Sequence, residues 1–307
     1  MGRRSAAVFV IAMAPMMAAA QQFMPDFGPP VDPESRFELV VIKPFANVDG
    51  QVLMRMVPGR FESSLPVGVL LRQALRKPDY QIVGAPGWLD TERYSIIAKP
   101  PEGIPLTAVS VLLTNLLKDR FRLATHLETR ERPVFHLVMA RPDGRLGPNI
   151  KPTSPECQAT IAKRNAAATA SAGRGGTLPD LPPPPGPDDP VPCGFFRIPV
   201  GRAAASGFAI AQLTPTLSDL TGRTVIDKTG VTGLYDFTLK YAPELVRVAG
   251  PFGLLSTGRP VAPDTPADPD APDLFTAVQE QLGLKLESAR GPVEMVVIDN
   301  IEKPALD

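Results

Sequence analysis

The chain has 307 residues, 44% of them hydrophobic, and its 32 basic residues are balanced by 32 acidic ones. That is enough apolar material for one or two packed domains. Zero net charge leaves no basic field to attract nucleic acid or an anionic membrane, so neither is expected as a partner.

The first 20 residues read as a secretory signal, with Arg3 and Arg4 ahead of an apolar run and Ala18-Ala19-Ala20 offering a cleavage site. The run is shorter than the roughly 20 apolar residues a span needs. Cleavage after about Ala20 would leave a secreted or periplasmic chain with no stable membrane span. Residues 21–35, with Pro25, Pro29, Pro30 and Pro33, are expected to be a disordered lead-in.

From 36 to 141 the pattern predicts a first α+β copy. FELVVI (37–42) is a strand closed by Lys43-Pro44, and Pro58-Gly59 marks a hairpin between 52–57 and 60–63. Val67, Leu70, Leu71, Ala74 and Leu75 keep helical spacing until Pro78. A strand at 80–83, a turn-rich loop at 84–90 holding Trp88, and a strand at 94–98 follow. A helix is predicted over 106–117, then a half-exposed hairpin of 121–128 with 133–140.

Residues 142–200 are Pro-rich and read as a loosely ordered connector, and 243–272 reads as an insert of the same kind. Cys157 and Cys193 both lie in the connector, and in an oxidising compartment they are expected to pair; a free or metal-binding pair is the alternative. The second copy, 201–304, repeats the plan of the first. Gly59, Arg60, Ser64, Leu71 and Leu75 recur as Gly201, Arg202, Ser206, Leu213 and Leu217 at a constant offset, 142 from Gly59 to Gly201. A helix over 210–220, strands at 224–226 and 235–241, a helix at 274–282 and a closing hairpin of 284–286 with 293–298 complete it. The fold class is α+β: a duplicated strand-helix-strand-strand-helix-strand-strand module, with helices on a mainly antiparallel sheet.

FELVVIKP (37–44), PGRFESS (58–64), GAPGWLDTERYSI (84–96), VIDKTGVTGLYDFTL (225–239) and LFTAVQEQLGLKLESARGPVEMVVIDNIEKP (274–304) resemble an uncharacterised, soil-associated family of secreted proteins from Acidobacteria of the Solibacter type. A similar module occurs fused after membrane metallopeptidases of the β-lactam-sensor type. The resemblance implies an extracytoplasmic sensing or binding role and carries over no catalytic residue.

No catalytic motif stands out. His126 and His136, the only histidines, would share a sheet face beside Glu128 if the first hairpin pairs them, a weak zinc candidate. There is no GxSxG and no Walker loop, and no cofactor is expected. Asp90 and Glu92 near Tyr94, or Asp227 near Asp236, could form a carboxylate pair for a glycosidase. Trp88 is either a lid over the core or an exposed platform for a ligand. The expected function is a non-enzymatic binding or sensing module for a protein, peptide or cell-wall-derived ligand. Its candidate surface is the paired loops 84–93 and 227–234, and Trp88, Asp90, Tyr94, Asp227 and Tyr235 are the ligand-binding candidates. A secreted hydrolase acting on extracellular polymers and a structural envelope component are the alternatives.

Overall fold

A computed structural model describes residues 31–45, 54–57, 59–102, 104, 108–171, 190–198, 201–242 and 271–307. The signal segment, most of the lead-in, Pro58, the start of the helix expected from 106, the centre of 142–200 and nearly all of 243–272 lie outside the described residues. Among the described residues no helix is long and apolar enough to cross a membrane.

Two outer sheets share one plan. In the first, β1 (Leu39–Pro44), β2 (Met54–Val57), β3 (Arg60–Ser63) and β5 (Tyr94–Lys99) pair antiparallel in the order β1-β5-β3-β2. In the second, β7 (Ile150–Pro152), β8 (Phe196–Arg197), β9 (Arg202–Phe208) and β11 (Tyr235–Lys240) pair antiparallel in the order β7-β11-β9-β8. Corresponding strands occupy corresponding places, so the fold is a duplicated α+β arrangement.

The third sheet joins the halves. Its middle is the antiparallel pair of β6 (Ala124–Met139) and β12 (Leu284–Asn300), the longest strands in the described chain. Its flanks are exchanged. Strand β4 (Ile82–Val83), from the first half, runs parallel to β12, and β10 (Val225–Asp227), from the second, runs parallel to β6.

Among the described residues six α-helices cover these sheets: α1 (Val67–Leu75), α2 (Trp88–Thr91), α3 (Val109–Phe121), α4 (Pro155–Ser171), α5 (Thr214–Thr221) and α6 (Leu274–Leu282). The apolar stripe of α1 (Leu70, Leu71, Ala74) packs with that of α3 (Leu113, Leu116, Leu117) and with Phe61 and Ile96 of the first sheet. Ile298 of β12 closes that core, while Phe135 and Leu137 of β6 enter the second core beside Leu213, Leu217, Val278 and Leu282. Each half thus buries side chains from a strand that the other half contributes. Val134, Val293 and Met295 form a smaller cluster between them.

Two expected hairpins are instead single strands, because neither stretch holds a two-residue turn signal and a proline need not end a strand at an edge. The Phe135 N–H donates to the Thr224 carbonyl on the β10 side (2.9 Å). Strand alternation puts the Pro133 nitrogen on that same side, two residues before the first β10 pairing at Phe135, where no ladder bond is required. Pro292, opposite Glu131, likewise faces the outer side of β12, ahead of its β4 pairing at Val296.

The described parts of 142–200 also differ from the expected loose connector. Ile150–Pro152 supplies the edge strand β7, and the alanine-rich 155–171 has the propensity to form α4. Cys157 and Cys193 are disulfide-bonded with Cα atoms 5.6 Å apart. On the same helix, Arg164 donates to the carbonyls of Cys193 (3.3 Å) and Gly194 (3.2 Å) and lies over the Phe195 ring. The disulfide is the expected pair, whereas the helix it fastens and the Arg164 contacts were not marked by composition.

The turns after α3 and α6 both need a left-handed residue, Arg122 (φ 53°) in one and Gly283 (φ 68°) in the other. A Cβ on Gly283 would lie 2.6 Å from the Gly147 backbone nitrogen, so that position tolerates only glycine. Arg122 has no such reason to stay, since its ion pair with Glu302 (3.4 Å) is largely exposed. Arg122→Gly is expected to stabilise by about 0.5–1 kcal/mol and Gly283→Ala to destabilise by more than that, as read from denaturant midpoints. Cys157→Ser is expected to cost about 3–4 kcal/mol, and reductant should lower the midpoint of the parent but not of the variant.

Candidate functional site

The sequence-predicted residues fall into two groups. In the first, Trp88 and Asp90 lie on α2, and Trp88 packs half-buried against the first core as a lid. Asp90 approaches Arg72 at 3.7 Å. Glu92 accepts from Lys303 (2.7 Å) and from the Tyr94 hydroxyl (3.3 Å), and the lysine holds its carboxyl below the usual range. Tyr94 itself is buried, edge-on to Phe121.

In the second group, Asp227 accepts from the backbone N–H (2.8 Å) and hydroxyl (2.7 Å) of Thr229, closing its own turn. Tyr235 donates to the Thr232 carbonyl (3.2 Å). One oxygen of Asp236 is held by Thr153 Oγ1 (2.9 Å), Ser206 Oγ (3.0 Å) and the Gly207 N–H (2.9 Å). These carboxylates are tied into local structure.

The topology keeps the two groups apart. Strands β4 and β10 lie on opposite edges of the central sheet, and each runs parallel to one of an antiparallel pair. The loops that follow them, 84–93 and 228–234, therefore leave opposite ends of that sheet. The histidines are likewise separated. His126 and His136 share a face of one continuous strand but lie ten residues apart on β6, about 33 Å at strand rise. His126 Nδ1 bonds Asp299 (2.8 Å) and His136 stands opposite Glu287. Among the described residues no three His, Cys, Asp or Glu side chains group to hold a metal ion.

What the fold does bring together is the pair of segments that lead into β4 and β10. The turn 79–81 of the first half meets 218–224 of the second across the middle of the central sheet. Gln81 donates its amide N–H to Thr224 Oγ1 (3.2 Å). The Tyr80 hydroxyl lies beside the side chains of Ser218 and Thr224. Ser218 Oγ accepts from the Val225 N–H (2.8 Å) and donates to the Thr214 carbonyl (2.7 Å), which fixes it in place.

A cavity of about 160 Å³ opens there, lined by Tyr80, Arg132, Pro133, Gly222, Arg223, Thr224 and Val293. Arg223 lies over the Phe135 ring at 5.3 Å, and Arg132 has no partner among the described residues. Burial pushes the Tyr80 phenol up to about 12, with nearby Asp219 adding to the effect, so the hydroxyl keeps its proton. Burial also pushes the Asp219 carboxyl up to about 6. Two guanidiniums, a phenol and a hydroxyl around a small cavity suit a planar anion such as a carboxylate. The sequence marked none of these residues, because only the strand exchange makes them neighbours.

A family model described as a protein of unknown function, DUF3738, matches residues 69–301. The chain belongs to this family. The match takes in the second outer sheet, β5 of the first, the exchanged strands and the junction cavity, and begins after β1, β2 and β3. No curated protein and no solved structure is similar enough to count as a match.

The Asp219 shift gives a pH-dependent expectation. A carboxyl raised from 3.8 to about 6 in the fold favours folding fully below its unfolded value, and that contribution is lost as pH rises through about 6. Asp219→Asn is therefore expected to stabilise the DUF3738 chain at pH 8 and to leave it unchanged near pH 4. The gain is on the order of 1 kcal/mol, because the residue keeps an exposed surface. Thermal melts at the two pH values check it.

Proposed function

We propose that the chain is an extracytoplasmic, non-enzymatic binding or sensing module that holds a carboxylate-bearing ligand at the junction of its two halves. The ligand class is a peptide with a free C-terminus or a cell-wall-derived fragment. The observation that carries the reading is the junction cavity, where Arg132 and Arg223 flank the hydroxyls of Tyr80 and Thr224. Its volume is below the roughly 300 Å³ at which whole-ligand pockets begin, so it suits the charged end of a ligand. The two copies expected at 36–141 and 201–304 are, in this reading, halves of one unit and not separable domains.

Export fits the disulfide, which persists in oxidising compartments. The resemblance to modules fused with membrane metallopeptidases of the β-lactam-sensor type, in Acidobacteria, supports a sensing context outside the cytoplasm. The hydrolase alternative needs two loop carboxylates facing one bond. Asp90, Glu92, Asp227 and Asp236 instead have local partners and are divided between opposite ends of the central sheet. A structural envelope role is the second reading, favoured by the bare outer edge of β6.

Calorimetric titration of the signal-free chain with short free-carboxylate peptides, their C-terminal amides and soluble cell-wall fragments tests the proposal. Saturable binding of the free acids is expected, abolished by amidation and weakened at least about tenfold by Arg223→Gln. Equal binding of acids and amides, no binding at all, or turnover of any fragment would overturn it.

A further inference from the structure

Among the described residues, the outer side of β6 is uncovered over more than half its length. β10 pairs only with Phe135, His136 and Leu137, and among the described residues no strand pairs with the stretch before them. Side chains 124–132 are exposed on both faces of the strand, except for half-buried Arg130, and Leu127 is 62% exposed. The Phe135 N–H points to the β10 side, so alternation aims the N–H and C=O groups of Thr125, Leu127, Thr129 and Glu131 outward as well. An edge this long is ordinarily covered or blunted, because it is a template for another strand.

We infer that this edge is a self-association surface, on which β6 of a second copy pairs antiparallel about a two-fold axis through Thr129. Charge selects that register. With Thr129 opposite its own mate, Glu128 of each copy faces Arg130 of the other, joining the Glu128–Arg130 pair already made within one chain (2.6 Å). Moving the axis to residue 128 sets Glu128 against Glu128, and moving it to 130 sets Arg130 against Arg130.

Length agrees with charge. In the Thr129 register the mate's Thr125 falls opposite Pro133, and Thr224, whose carbonyl accepts from the Phe135 N–H, fills the lane from Val134 on. The incoming ladder therefore ends at Pro133, one residue short of the start of β6. Outward ladder positions then meet each other: Thr129 with Thr129, and Leu127 with Glu131. Pro133 lies at the far end, opposite Thr125, where its missing N–H costs the ladder least. The result is one continuous eight-stranded sheet made from two four-stranded ones.

Sedimentation of the signal-free chain over a concentration series tests the inference. A dimer is expected, and Thr129→Pro, which removes an outward N–H but no β6–β12 bond, should give a monomer with an unchanged melting profile. Glu128→Arg and Arg130→Glu should each weaken the dimer, and the double swap should restore it. A chain that stays monomeric at every concentration would overturn the inference. So would a dimer indifferent to Thr129→Pro, a double swap that fails to restore pairing in folded protein, or an edge that pairs only with a different protein.

Discussion

Everything in this molecule hangs on the antiparallel ladder between β6 and β12. Each strand is long enough to cross from one half to the other, and each delivers apolar side chains into a core that its own half does not own: Ile298 into the first, Phe135 and Leu137 into the second. Covering those side chains requires both halves at once. The outer sheets can repeat one plan because the central pair gives each the same kind of support. Pro133 and Pro292 do not interrupt it, since their nitrogens face lanes that β10 and β4 have not yet entered.

Much of the fold was legible from periodicity. The stripes of α1, α3 and α6, the strands around Pro58-Gly59 and the constant offset from Gly59 to Gly201 are local or near-local signals, and α+β followed from them. The disulfide followed from cysteine count and compartment. What failed were inferences in which proline or composition was taken as punctuation. Pro133 and Pro292 look like turn flanks in one dimension, and only the position of the neighbouring strand shows that their missing N–H is harmless. Residues 150–171 look like filler, yet an edge strand and a stapled alanine-rich helix come out of them.

The site was less legible than the fold, for the same reason. Trp88, Asp90, Tyr94, Asp227 and Tyr235 stand in or beside equivalent connections of the two copies, and equivalence suggested that they meet. A two-fold arrangement with exchanged edge strands sends equivalent loops to opposite corners and brings the segments before those strands together instead. Tyr80 and Asp219 carry no signature that marks them in sequence. The copies have diverged at the junction, with Arg223 standing two residues before β10 where Tyr80 stands two residues before β4. The cavity is accordingly one asymmetric polar site and not a pair of matching ones.

The exchange of short strands also sets an order of events in time. Ile82 finds its lateral neighbour only in Val296, and Val225 reaches back to Phe135. Contacts this distant along the chain are slow to form, and the loop between them must close before they give any return. A growing polypeptide must therefore hold β4 open until β12 has been made, and arrival of β12 seals both halves together. Loss of β12 would unmake the first half as surely as the second.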